Sequence, residues 1–174
     1  MTPAAGIRLA VVVFVAAIFQ VSALSSLQLL GGTPDLLLVV LVALALVQGS
    51  IAGAIAGFAG GLLVDVATLG TLGLTALLLT VAGYWAGRYG ETTGRGRAQA
   101  PLFAVVAITV LAGVGAYALT FMLGEAVSAR GALLPVLPAM VLNGILAFPA
   151  AALVQRLAGG NLKLERAREM ELLG

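Results

Sequence analysis

The sequence predicts an all-α membrane protein, a polytopic bundle of about six transmembrane helices. Three observations point there. Of 174 residues, 61% are hydrophobic. Only 9% are charged, against about 25% in soluble globular domains, so a soluble chain of this kind would lack the polar surface to stay dispersed. The apolar residues also fall into long stretches, separated by short clusters of Gly, Pro and charge. Several reach the roughly 20 residues that cross a hydrocarbon core of about 30 Å. The length suits one domain, with residues 1–160 as the helical bundle and 161–174 as a short tail helix at the membrane surface.

The first span covers about Leu9 to Leu30, behind Arg8. A signal peptide would read Arg8 as its basic region and Val21-Ser22-Ala23 as its cleavage site, but the apolar character continues through Leu24, Leu27, Leu29 and Leu30. Thr33-Pro34-Asp35 then opens a helix: Thr33 suits the N-cap, Pro34 the first position, and Asp35 complements the positive helix start. The apolar run from Leu36 to Val64 is interrupted only at Gln48-Gly49-Ser50. As one helix it would be about 44 Å long, so two helices joined by a tight turn at 48–50 are expected. Val66–Leu72 forms a loop, and the fourth span covers Gly73 to Gly87. Arg88–Gln99 is polar, Pro101–Gly124 is the fifth span, and Glu125–Gly131 is a loop. The sixth span runs from Ala132 to Leu157, with Pro149 inside it.

Basic residues orient such a bundle, because Lys and Arg collect on the cytoplasmic side. Six spans place eight of the nine basic residues inside and Arg130 alone outside; five spans, with 36–64 as one helix, place seven inside and two outside. Both put the Arg88–Arg97 loop and the tail in the cytoplasm, and the six-span reading puts the N-terminus there too. The net charge of +2 speaks to orientation and not to nucleic acid.

Chemistry is narrowly limited. With no Cys and no His, disulfides, thiolate nucleophiles, imidazole bases and the usual Zn sites are absent. A Ser–Lys dyad fails because the only Lys is Lys163 in the tail. Asp35 and Asp65 as a proton-sharing pair would have to lie about 3 Å apart, and nothing in their flanks indicates that. No enzyme, cofactor or metal is expected.

The residues that stand out suit packing and recognition. Gly49, Gly53, Gly57 and Gly61 recur every four positions, so one helix face admits another backbone closely. That face could pack within the bundle or receive a partner's helix. Asp35 is explained as a helix-start residue. Asp65 is placed less comfortably, at a helix end whose dipole disfavours a carboxylate, with Arg130 as a candidate partner and Glu125 nearby. Gln20, Gln48 and Asn143 are amides of the kind that hydrogen-bond across helices in lipid. Tyr84 and Trp85 suit interfacial anchoring.

The run Pro34-Asp35-Leu36-Leu37-Leu38, followed by Gly53-Ala-Ile-Ala-Gly57-Phe58-Ala-Gly60-Gly61-Leu62-Leu63-Val64-Asp65, Leu72-Gly73 and Gly83-Tyr84, resembles the MreD family of bacterial rod shape-determining proteins. The resemblance implies about six spans in the bacterial inner membrane and a fold like the substrate-binding subunits of ECF-type vitamin transporters. It implies a non-enzymatic role in cell elongation and peptidoglycan synthesis, alongside MreC, MreB, RodA and a class B penicillin-binding protein. The positions matching the family pattern are Asp35, Gly57, Phe58, Gly61, Asp65 and Gly73, none of them catalytic. The expected mechanism is docking of MreC's anchoring helix on the glycine face. The alternative is a small-molecule binding subunit of an uptake transporter, for which Asp35, Asp65, Glu125 and Arg130 are the outward polar groups.

Overall fold

The computed structural model describes residues 3–24, 31–93, 99–124 and 128–173. Arg95, Arg97 and Glu125 fall outside them, as do the side chains of the charged tail. Helix α1 (Pro3–Phe19) passes into a single π turn, Gln20–Leu24. There follow α2 (Leu36–Gln48), α3 (Ser50–Thr68), α4 (Leu74–Thr93), α5 (Ala100–Met122), the short α6 (Ala129–Leu133) and α7 (Val136–Leu173). No strand occurs among the described residues. Four segments are long and apolar enough to cross a membrane: 6–23, α3, α5 and 129–158. The chain is an all-α polytopic membrane bundle.

The stretch 36–64 is divided into two helices, as expected, and the single long helix of the five-span alternative is not formed. The break is one residue, Gly49, at φ +98°, a conformation that costs a side chain dearly and glycine little. Its N–H still donates to the Ala45 carbonyl at 2.8 Å, and its carbonyl accepts from Gly53 at 3.0 Å. Several boundaries differ from expectation: α4 runs on to Thr93, into the expected polar segment, and α7 continues to Leu173 with no break before the expected tail helix. Helix α3 continues through Thr68, taking in the first residues of the expected loop. The last span is divided at Pro135, which has no N–H to continue the hydrogen bonding of α6; α7 begins after it.

Helix α2 is the core. Every residue from Leu37 to Leu46 is buried, as its all-round apolar sequence requires. It packs against α1, α3, α4, α5 and α7. Its 13 residues span only about 20 Å, short of the roughly 30 Å hydrocarbon core. The orphan N–H groups of its first turn therefore need protein partners, since lipid offers none. This shortness explains where the buried polar side chains lie.

Helices α3 and α4 form the most intimate pair. They run antiparallel, with Gly53 opposite Gly83, Gly57 opposite Leu79 and Gly61 opposite Ala76. One end of the bundle thus holds the start of α2, the end of α3 and the start of α4. The other holds the α2–α3 break and the end of α4.

Candidate functional site

The start of α2 carries a relay of polar side chains. The Asp35 carboxylate accepts from the Leu38 N–H at 2.9 Å, so Asp35, and not the expected Thr33, is the N-cap of α2. Pro34 lies ahead of the helix because the Asp35 side chain, nearer the free N–H groups, satisfies them. The Leu36 N–H donates to Gln20 Oε1 at 2.8 Å, and Gln20 Nε2 donates to the Pro34 carbonyl at 3.2 Å. Asn143, 1% exposed, accepts from the Asp35 N–H at 2.8 Å and donates to Thr109 Oγ1 at 3.1 Å. Thr109 in turn donates to the Val105 carbonyl at 2.8 Å. Helices α1, α5 and α7 are thereby tied to the first turn of the core helix. Asp35 lies in the loop ahead of α2; burial pushes its carboxyl up, opposed by the backbone N–H groups of Leu38 and Leu37.

Asn143→Ala removes a buried acceptor and donor together. We expect it to lower stability by about 1–2 kcal/mol, the range of interhelical hydrogen bonds in lipid, read by denaturant titration in detergent. Thr109→Val, which leaves the Asp35 N–H satisfied, should cost less.

Asp65 is 2% exposed and occupies the other exacting position. It sits near the end of α3, yet its carboxylate turns to the start of α4, accepting from the N–H groups of Gly73 at 2.8 Å, Thr75 at 3.1 Å and Ala76 at 3.2 Å. The unfavourable field at its own helix end is thus offset by the positive end of the next helix. Gly73, at φ +93°, turns the chain so that its N–H meets the carboxylate. Arg130 is not a partner of Asp65. It is exposed on α6 and lines an open depression with Gly31, Ser128 and Pro135.

The two conspicuous carboxylates therefore serve separate helix starts, and the structure does not bring them together as a catalytic dyad. A third cap escaped the sequence reading. The Ser50 N–H and hydroxyl donate to Glu91 at 2.8 and 3.0 Å, and Arg88 pairs with the other carboxylate oxygen at 3.3 Å. Glu91 is exposed beyond the apolar part of α4, and the Ser50 N–H chiefly holds its carboxyl below the usual range. The signal was available in the missing side-chain cap at Gly49, but an acceptor 41 residues away has no local pattern.

The glycine ladder is already occupied. A Cβ on Gly53 would strike the Gly83 carbonyl, one on Gly57 the Leu79 carbonyl, and one on Gly61 would come within 2.5 Å of Ala76 Cα. These three glycines face α4 of the same chain, so a partner's helix could reach them only by displacing it. Gly49 belongs to the helix break and not to the ladder face. Phe58 is exposed on another side of α3.

Beside the ladder lies an open apolar groove of about 640 Å³ between α1 and α3. Small residues line both walls: Gly6 and Ala10 on α1, and Ala52, Ala56, Ala59 and Gly60 on α3. Leu44 and Gln48 of α2 form its floor. A second, smaller cavity of about 250 Å³ opens next to the start of α2 and holds the Asp35, Thr109 and Asn143 side chains. Among the described residues, no group of His, Cys, Asp and Glu could hold a metal ion.

No curated protein and no solved structure matches the chain. The sequence model of one family, rod shape-determining protein MreD, matches residues 5–158. That match takes in the capped helix starts, the glycine ladder and both walls of the groove: this chain belongs to the MreD family of rod shape-determining proteins.

Proposed function

We propose that the protein is a non-enzymatic scaffold of the cell-elongation machinery in the bacterial inner membrane. Its α1–α3 groove receives the single anchoring helix of a partner, MreC being the one the family implies, with MreB, RodA and a class B penicillin-binding protein in the same assembly. The observation that carries this reading is the groove itself. Its α3 wall is built mostly of small residues, Ala52, Ala56, Ala59 and Gly60, which allow a helix backbone to approach closely enough for the van der Waals packing that drives association in lipid, while Ile7, Leu9, Val13 and Phe14 of α1 give the other wall apolar bulk. It runs along α3 from Ala52 to Leu63, about 16 Å at the helical rise, or some three turns of a docked helix. Arg8 and Arg88 sit at the end of the bundle that holds the α2–α3 break, which makes that end cytoplasmic by the charge rule. Both termini then lie inside.

Filling the groove tests this reading. Ala59→Phe, at an exposed groove position, should reduce MreC recovered with the protein from mild detergent by tenfold or more. Val114→Phe, on an exposed face of α5, should leave recovery unchanged. Equal recovery with both variants would remove the groove from the account. Equal loss would point to a general effect of bulk. The uptake-subunit alternative has less support: ligand pockets usually enclose about 300–1,000 Å³ with convergent polar groups, whereas the groove is apolar and the polar cavity is smaller.

A further inference from the structure

The cavity beside the start of α2 has a chemical character that helix capping does not account for. Five polar side chains line it: Thr33, Asp35, Thr75, Thr109 and Asn143. None of its lining residues is basic. Among the described residues no side chain donates to the Asp35 carboxylate; what it accepts comes from the backbone N–H groups of Leu38 and Leu37. The buried donors beside it are committed elsewhere, the Asn143 amide to Thr109 and the Thr109 hydroxyl to Val105, while the Thr33 and Thr75 hydroxyls, which can donate or accept, also line the cavity. Acceptor capacity remains on Asp35, on the second lone pairs of Asn143 Oδ1 and on Thr109 Oγ1. The cavity therefore presents one carboxylate, hydroxyl and amide acceptors, and no positively charged side chain. Leu38, Leu78, Ala112 and Val136 add an apolar wall, and exposed Thr33 marks the open side.

We propose that this cavity binds a small primary ammonium group, with Asp35 as its counter-ion, Asn143 and Thr109 as hydrogen-bond acceptors, and a short alkyl stem against the apolar wall. An ammonium supplies the missing positive charge, with three donors for the carboxylate and the neighbouring oxygens. The positive end of α2 already offsets part of the Asp35 charge, so affinity is modest, with a Kd on the order of millimolar. The same chemistry is offered by a soluble amine or by the ethanolamine headgroup of a phospholipid.

Thermal unfolding of the purified protein provides the test, with propylammonium and the isosteric neutral 1-propanol as probes in lipid-free detergent. Nanodiscs of phosphatidylethanolamine and of phosphatidylcholine, whose quaternary nitrogen has no N–H, form a second arm. Propylammonium should raise Tm saturably at concentrations at least tenfold below any effect of propanol. Asp35→Asn keeps the helix cap, since Asn serves that position as well as Asp, and should abolish the difference. Ala112→Phe, which fills the cavity and leaves the carboxylate, should abolish it too and serves if the Asn variant does not fold. A higher Tm in phosphatidylethanolamine than in phosphatidylcholine, lost in the variants, identifies the headgroup as the source; an effect of the free amine alone identifies a soluble one. Equal shifts with amine and alcohol together with equal Tm in the two lipids, or a response that survives both substitutions, overturns the proposal.

Discussion

Gly57→Leu is expected to be the most damaging single substitution in the bundle. Even a methyl group at Gly57 would overlap the Leu79 carbonyl, and a carbonyl inside a helix has no rotamer with which to move aside. Relief requires α4 to shift bodily, which also disturbs Gly53 against Gly83 and Gly61 against Ala76. Overpacking commonly costs about 1–3 kcal/mol, and a backbone obstacle places this site at or above the upper end. The sharper form of the prediction is a contrast. Gly57→Ala should be markedly destabilising. Gly60→Ala, whose Cβ would stand 3.1 Å from Val13 and 3.2 Å from Leu37 side-chain carbons that can yield, should be mild. Denaturant titration of both variants in one detergent decides it; a mild Gly57→Ala beside a severe Gly60→Ala would contradict the α3–α4 register.

Asp65→Ala is expected to cost about 3 kcal/mol or more. The substitution strands the N–H groups of Gly73 and Thr75, half-buried, and of Ala76, buried, and an unsatisfied buried donor costs about 1–3 kcal/mol. Asp65→Asn should recover part of this, because the amide oxygen can accept while its NH₂ meets donors. Hydrogen exchange provides a local readout: the first turn of α4 should lose protection in the Ala variant before the rest of the bundle does. A loss of stability below about 0.5 kcal/mol, within the range of ordinary surface substitutions, would show that the cap contributes little.

Much of the architecture is legible in the residues themselves. Composition dictates the membrane class, and Gln48-Gly49-Ser50 marks the division of 36–64 because one helix of that length would overrun the bilayer. Pro34-Asp35 marks the start of α2 through local capping chemistry, which acts within one turn and so leaves a sequence signature. The Asp65 cap is harder to read. Its carboxylate serves a helix that begins nine residues later, and position alone suggests a charge at the wrong helix end. The Glu91 cap bridges 41 residues and becomes visible only once α3 and α4 are placed side by side. The ladder shows the same limit from the other side. Its spacing announces close backbone approach, but a glycine face prepared for α4 and one prepared for a partner have the same sequence. The groove is harder still, since its walls come from two helices separated by more than thirty residues, and alanines facing lipid look like alanines facing a neighbour.

The central claim is that a partner's helix docks in the α1–α3 groove and not on the glycine ladder. Site-specific photo-crosslinking in native membranes tests it most directly, with the photoreactive residue placed in turn at Ala59, at Phe14 on the opposite wall, and at Val114 on α5. The account predicts a crosslink to MreC's membrane segment from Ala59 and Phe14 and none from Val114. Crosslinking from Val114 alone, or equally from all three positions, would contradict it.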